Sequence, residues 1–126
     1  MTKIASIGTF RYTPEKLYIE VDPGIAKYYR SLIPKHYRVH GTRYDPHISV
    51  VREETPNDKW GLYDGAVFIF DYDPYIHNDG GVYWWLNVQS KILNNLRVEL
   101  GLPMWSRLAR PPDGSDNFHI TIGNTK

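Results

Sequence analysis

The spacing of apolar residues changes character several times along the chain. In "KLYIEV" (Lys16–Val21), Leu17, Ile19 and Val21 fall on one face and Tyr18 and Glu20 on the other, which is the period of a half-buried strand. Asp22 and Pro23 then supply an N-cap and a proline at the first helical position. Ile25, Tyr28, Tyr29 and Leu32 follow at helical spacing until Pro34 ends the run. Residues 35–45 have no period and lead into a strand, "HISVVR" (His47–Arg52). A loop, "EETPNDKWGLYDG", separates it from the β-rich run "AVFIFDY" (Ala66–Tyr72). "HNDGG" (His77–Gly81) predicts a hairpin turn and "VYWWLNV" (Val82–Val88) the returning strand. Ser90 can cap a helix carrying Ile92, Leu93, Leu96 and Leu100, with Gly101 just past its end. The basic loop "SRLARPPDGSDN" leads to the last strand, "FHITIG".

The predicted order is β-α-β followed by β-β-α-β, with no linker between the two halves. This implies one α+β domain over residues 1–126, mainly antiparallel, with helices packed outside. Each half ends in a helix followed by a strand, so the expected architecture is two β-rich lobes facing each other across a central cleft.

Composition narrows the function. The chain has 126 residues, 41% of them hydrophobic and 23% charged, which fits a globular domain. It has no cysteine, which excludes disulfides, cysteine nucleophiles and cysteine zinc sites and makes a cytoplasmic setting the expectation. No apolar run reaches the length of a membrane span, and the N-terminal stretch lacks the apolar block of a secretory signal. A net charge of +1 is small for a protein that tracks a long nucleic-acid backbone. Aromatic residues reach 14%, including ten Tyr and four Trp, more than such a core requires. Some of those rings are expected in a groove, where they could stack on flat ligands.

Of the five histidines, two occupy the same frame, "HISVV" at His47 and "HITIG" at His119. On a strand, residues i and i+2 share a face. His47 therefore stands with Ser49 and His119 with Thr121, while Ile48, Val50, Ile120 and Ile122 turn toward the core. Were the two strands neighbours, two imidazoles and two hydroxyls would converge. That set suits phosphoryl chemistry: one neutral imidazole takes a proton from the nucleophile, a protonated one gives a proton to the leaving oxygen, and the hydroxyls hold non-bridging oxygens. No metal or other cofactor is needed for it.

The paired "HIS" and "HIT" motifs resemble those of the 2H phosphoesterase superfamily, which includes 2′-5′ RNA ligase-like proteins, cyclic phosphodiesterases and RNA-end processing enzymes. The chain looks most like compact phage members such as the anti-CBASS phosphodiesterases. The resemblance implies a metal-independent hydrolase that degrades cyclic nucleotide signals of host immunity, in the host cytoplasm if the protein is phage-encoded. His47 and His119 would be catalytic, and Ser49 and Thr121 would bind phosphate. The alternatives are cleavage of 2′,3′-cyclic phosphate ends or cyclic nucleotides, and a protein that sequesters a nucleotide without cleaving it. Compact members continue further past the second motif, so ligand contacts from such a tail are not expected within these residues.

Other residues are candidates for the nucleobase. Tyr83 and Trp85 should face the cleft, Trp84 the core. Tyr18 holds a similar place on its strand, and Tyr12 and Trp105 lie in predicted loops. Arg107 and Arg110 could clamp a phosphate. His36 and His40 have the spacing of a helical metal pair but no evident third ligand, and "DYDPYIHND" reads as a solvated hairpin end. The partner expected is a small cyclic oligonucleotide, without membrane or long nucleic acid.

Overall fold

A computed structural model describes residues 3–126. Six strands and two α-helices follow in the order β1 (Ile4–Tyr12), β2 (Lys16–Glu20), α1 (Pro23–Ser31), β3 (His47–Arg52), β4 (Val67–Asn78), β5 (Tyr83–Gln89), α2 (Lys91–Glu99) and β6 (Phe118–Asn124). A short 3₁₀ turn, Lys35–Tyr37, follows α1. The fold is α+β, and every strand pair is antiparallel. Instead of dividing into two lobes about a cleft, the strands close into one barrel in the order β1-β2-β3-β6-β5-β4.

The closing strand is β1, which the apolar pattern did not reveal. It pairs with β2 on one side and β4 on the other, and so joins the two halves of the chain. Gly8, Phe10 and Tyr12 share its inward face, with Phe10 in the core. A Cβ at Gly8 would stand 2.3 Å from the Ile19 side chain and 3.3 Å from that of Phe70, so the strand approaches the core there as bare backbone. Ile7 points the other way and is 61% exposed, opposite the similarly exposed Ile69 of β4. The strand thus carries apolar residues on both faces and a glycine in the middle of its inward one.

One apolar cluster unites the strands and helices. Leu17, Ile19, Ile48, Val50, Leu86, Val88, Ile120 and Ile122 are essentially inaccessible and meet Ile25, Ala26 and Tyr29 of α1 and Leu93 and Leu96 of α2. Both helices are capped as their sequences imply. The Asp22 carboxylate accepts from the Gly24 N–H at 2.8 Å, and the Ser90 hydroxyl accepts from the Leu93 N–H at 3.3 Å. Their buried faces are turned relative to expectation. Ala26 and Ile33 are buried while Tyr28, Leu32 and Ile92 are exposed, because each helix rests on the strands along a narrower stripe than its apolar residues mark.

Arg97 of α2 is fully buried and fixes that helix to the end of β3. It donates to the Val50 carbonyl at 2.7 Å, to the Pro103 carbonyl at 2.9 Å and in bidentate fashion to Glu54 at 2.6 and 2.7 Å. Burial alone would raise the Glu54 carboxyl, but the Arg97 guanidinium more than offsets this and holds it below its ordinary value. β4 runs on well past Tyr72. Its ladder with β5 is interrupted between Tyr72 and Ile76, where Pro74 needs no donor, and resumes at Ile76, His77 and Asn78. His77 therefore lies on a strand, and the turn begins only after Asn78.

Candidate active site

The two motifs are neighbours. β3 and β6 pair with Ile48 opposite Ile120. Continuing that antiparallel register by one residue each way sets His47 across from Thr121 and Ser49 across from His119. All four side chains emerge on the face opposite the two buried isoleucines, and the imidazoles sit on a diagonal. Diagonal neighbours on an antiparallel pair have backbones about 7–8 Å apart, a gap that two imidazoles can narrow around a single phosphate.

The register extends the face into two rows. One runs His77, Trp85, Thr121, His47 and Glu20; the other runs Asn87, His119, Ser49, Tyr18 and Arg11. His47 is half-buried at the start of β3. Its Nδ1 lies 2.8 Å from the Asp45 carbonyl. A carbonyl only accepts, so Nδ1 carries a proton and Nε2 remains for chemistry. The Tyr18 ring meets His47 edge-on, with centroids 5.6 Å apart. Arg11 and Glu20 form an ion pair at 2.9 Å near the outer end of both rows.

His119 has a different setting. The residue is half-buried, but Nδ1 is enclosed and makes no hydrogen bond of ordinary geometry. Burial pushes the imidazole down to about 4; the Ala109 backbone and the Asp113 carboxylate oppose this, and His47 adds to it. At neutral pH the ring is therefore uncharged. The enclosure comes from the 106–117 loop, whose Ser106, Ala109 and Pro111 are buried. Asp113, on the same loop, lies close enough to both His77 and His119 to feel their charge. Burial works against its ionisation, but hydrogen bonds from Ser115 and the two histidines hold its carboxyl low.

Trp85 does share the face of the histidines, but only 1% of it is exposed, so it cannot serve as the open stacking platform expected. It forms the floor. Its indole N–H donates to Asn87 Oδ1 at 3.1 Å, and its ring stacks on His77 at 5.9 Å with planes 16° apart. Trp84 packs into the core as expected. Tyr83 is half-buried at the start of β5, beneath the Lys126 ammonium, 4.9 Å from the ring centroid. Tyr18 stands at the site beside His47.

Tyr12 and Trp105 do not come to the histidines. Tyr12 is on β1, opposite Leu17, and packs against the core beside Trp60, with its hydroxyl enclosed and burial raising its phenol. Trp105 lines a separate depression near Lys3, Lys91 and Phe118 at the start of α2. Arg110 is occupied within its own loop by Asp116 and the carbonyls of Gly114 and Ser115, and Arg107 is exposed. His36 lies against Tyr37, and His40 Nδ1 bonds the Gly41 carbonyl. Among the described residues no group of three His, Asp or Glu side chains is arranged to hold a metal.

Sequence reasoning missed His77, Asn87 and Asp113. His77 looked like part of a turn because Pro74 hid the continuation of β4. Asn87 follows Trp85 at two-residue spacing and so shares its face, but that spacing assigns it no role, and Asp113 lies in a loop whose course no periodicity encodes. No family model, no curated protein and no solved structure matches this chain.

Proposed function

We propose that this protein is a metal-independent phosphodiesterase of the 2H type that cleaves cyclic nucleotides, with cyclic oligonucleotide signals as the substrate class. The observation that carries the reading is the β3–β6 register, with Ile48 opposite Ile120, which turns two distant His-x-Ser/Thr motifs into one four-residue constellation. On this reading the β3–β6 seam takes the part of the central cleft of a two-lobed 2H fold.

The two histidines divide the work by environment. His119, neutral through burial, accepts the proton of the attacking ribose 2′-OH or water. As the new P–O bond forms and the old one breaks, His47 gives the Nε2 proton to the leaving oxygen, its orientation held by the Asp45 carbonyl. Ser49 and Thr121 donate to the non-bridging oxygens, whose charge grows in the transition state. If the product is a 2′,3′-cyclic phosphate, a second attack by water proceeds with the histidines exchanging roles. In the anti-CBASS setting, loss of the cyclic signal would blunt host defence.

An uncharged, enclosed imidazole contributes little to holding a phosphate; it is free to take a proton at neutral pH, although the burial that keeps it uncharged also lowers its basicity. This favours an enzyme over a sequestering protein. Incubation with cyclic dinucleotides, cyclic trinucleotides and 2′,3′-cyclic mononucleotides in the presence of EDTA tests the reading. Linear products from a cyclic oligonucleotide are expected. Cleavage confined to 2′,3′-cyclic substrates would move the activity to RNA ends or cyclic mononucleotides, and tight binding with intact return would leave a sequestering protein.

A further inference from the structure

His77 is held with more care than a surface histidine at a strand end requires. An indole N–H can only donate, so the Trp85 bond at 3.1 Å fixes Asn87 Oδ1 as its acceptor. The Asn87 amide N–H₂ then faces His77 Nε2 at 3.1 Å, which makes Nε2 the acceptor. In the neutral ring the proton consequently sits on Nδ1. Trp85 and Asn87 are both buried, so an internal polar chain sets the orientation and tautomer of a half-buried imidazole. Tyr75, 56% exposed, stands edge-on to the same ring at 4.7 Å.

One strand, β5, lies between those of His77 and His119, and with a two-residue offset along the strands their backbones stand about 12 Å apart. With Nε2 committed to Asn87, His77 presents its Nδ1–H as the hydrogen-bond donor at this end of the face, beyond the scissile phosphate. A nucleobase edge carries ring-nitrogen or carbonyl acceptors that complement this donor, and the exposed Tyr75 ring offers a stacking surface.

We infer that His77, oriented by Asn87 and Trp85, contacts the nucleobase of the substrate and makes the site selective for nucleotides over simple phosphodiesters. This rests on the phosphodiesterase reading and adds a base-recognition arm to it.

The test compares His77→Phe, which keeps a ring on Trp85 but lacks the donor, with wild type. The substrates are a cyclic dinucleotide and the base-free diester bis(4-nitrophenyl) phosphate. The variant should lose about tenfold more kcat/KM on the dinucleotide than on the base-free diester, mainly through KM, as expected for one hydrogen bond to substrate. Equal losses on both substrates, or none, would overturn the inference and leave the phosphodiesterase reading intact. Should His77→Phe fold poorly, the wild-type protein gives the answer by ¹⁵N NMR. The His77 ring signals should report the Nδ1–H tautomer and shift on titration with a phosphorothioate dinucleotide but not with inorganic phosphate. Unmoved His77 signals while the dinucleotide binds would sink the inference alone. A wild type that neither binds nor cleaves the dinucleotide would remove both readings.

Discussion

The two motif copies are nearly identical in sequence and differ sharply in surroundings. His47 opens β3, has its Nδ1 committed to the Asp45 carbonyl, and meets only the edge of Tyr18. His119 lies within β6 between Ser49 and Asn87, under a loop, with an enclosed Nδ1 that has no hydrogen-bond partner. The register relates the copies by an approximate two-fold about Ile48 and Ile120, yet the elements around that axis are unlike. On the β2 side lie Tyr18 and an exposed ion pair; on the β5 side lie a buried Trp85, Asn87 and the 106–117 loop. A repeated motif can therefore supply two equivalent imidazoles while its setting makes them unequal, and acid–base chemistry at one phosphate needs that inequality.

The strongest way to break the comparison is to remove either member. His47→Ala and His119→Ala should each reduce turnover of a cyclic nucleotide by about 10²–10⁴-fold, with the double variant little worse than either single one. Retention of most turnover by one variant would show that a single histidine carries the reaction.

Next in size is the floor beneath His119. Trp84 and Trp85 lie on opposite faces of β5, yet both are buried. Each substitution to Ala should cost about 3–5 kcal/mol in denaturant unfolding. A mild effect for Trp85→Ala alone would mean that the histidine face is open there.

The buried imidazole should also leave a mark on stability. The folded-state value of His119, about 4, lies below its ordinary 6.5. Between those values the unfolded chain binds a proton that the folded chain does not. Stability should therefore fall as pH drops through this window, by up to about 3 kcal/mol, and this contribution should be flat on either side. His119→Asn should lose that share of the slope; a slope unchanged in the variant would assign it to other groups.

The smallest effect belongs to the His47 side. Tyr18→Leu removes an edge-on aromatic contact worth about 0.5–1.5 kcal/mol. It should lower turnover about tenfold or less without moving the acid limb set by His119. A shifted acid limb would mean that the two sides are not separable.

The parts of this arrangement legible in the sequence are those with a strict period. Two-residue alternation placed the motif hydroxyls and imidazoles on one face and Ile48 and Ile120 in the core, and helix caps marked where α1 and α2 begin. β1 escaped because a glycine interrupts its inward face and an exposed isoleucine sits on its outward one, which blurs the alternation. The length of β4 escaped because Pro74 signals a stop, whereas the ladder tolerates it at an interruption; His77 was lost with it. The burial of Trp85 depends on contacts such as the stacked His77 ring of β4. Those contacts are set by tertiary packing, and no local spacing encodes them.

The unequal protonation of two equivalent histidines on one phosphodiester is tested most directly by single-turnover cleavage of a bound cyclic dinucleotide across pH in EDTA. A base must be unprotonated and an acid protonated, so the profile should be bell-shaped. Because burial holds His119 at about 4, cleavage should persist well below pH 6.5 and fall only as the pH approaches about 4. Intact dinucleotide at every pH, or an acid limb at the ordinary histidine value that survives in His119→Ala, would contradict the account.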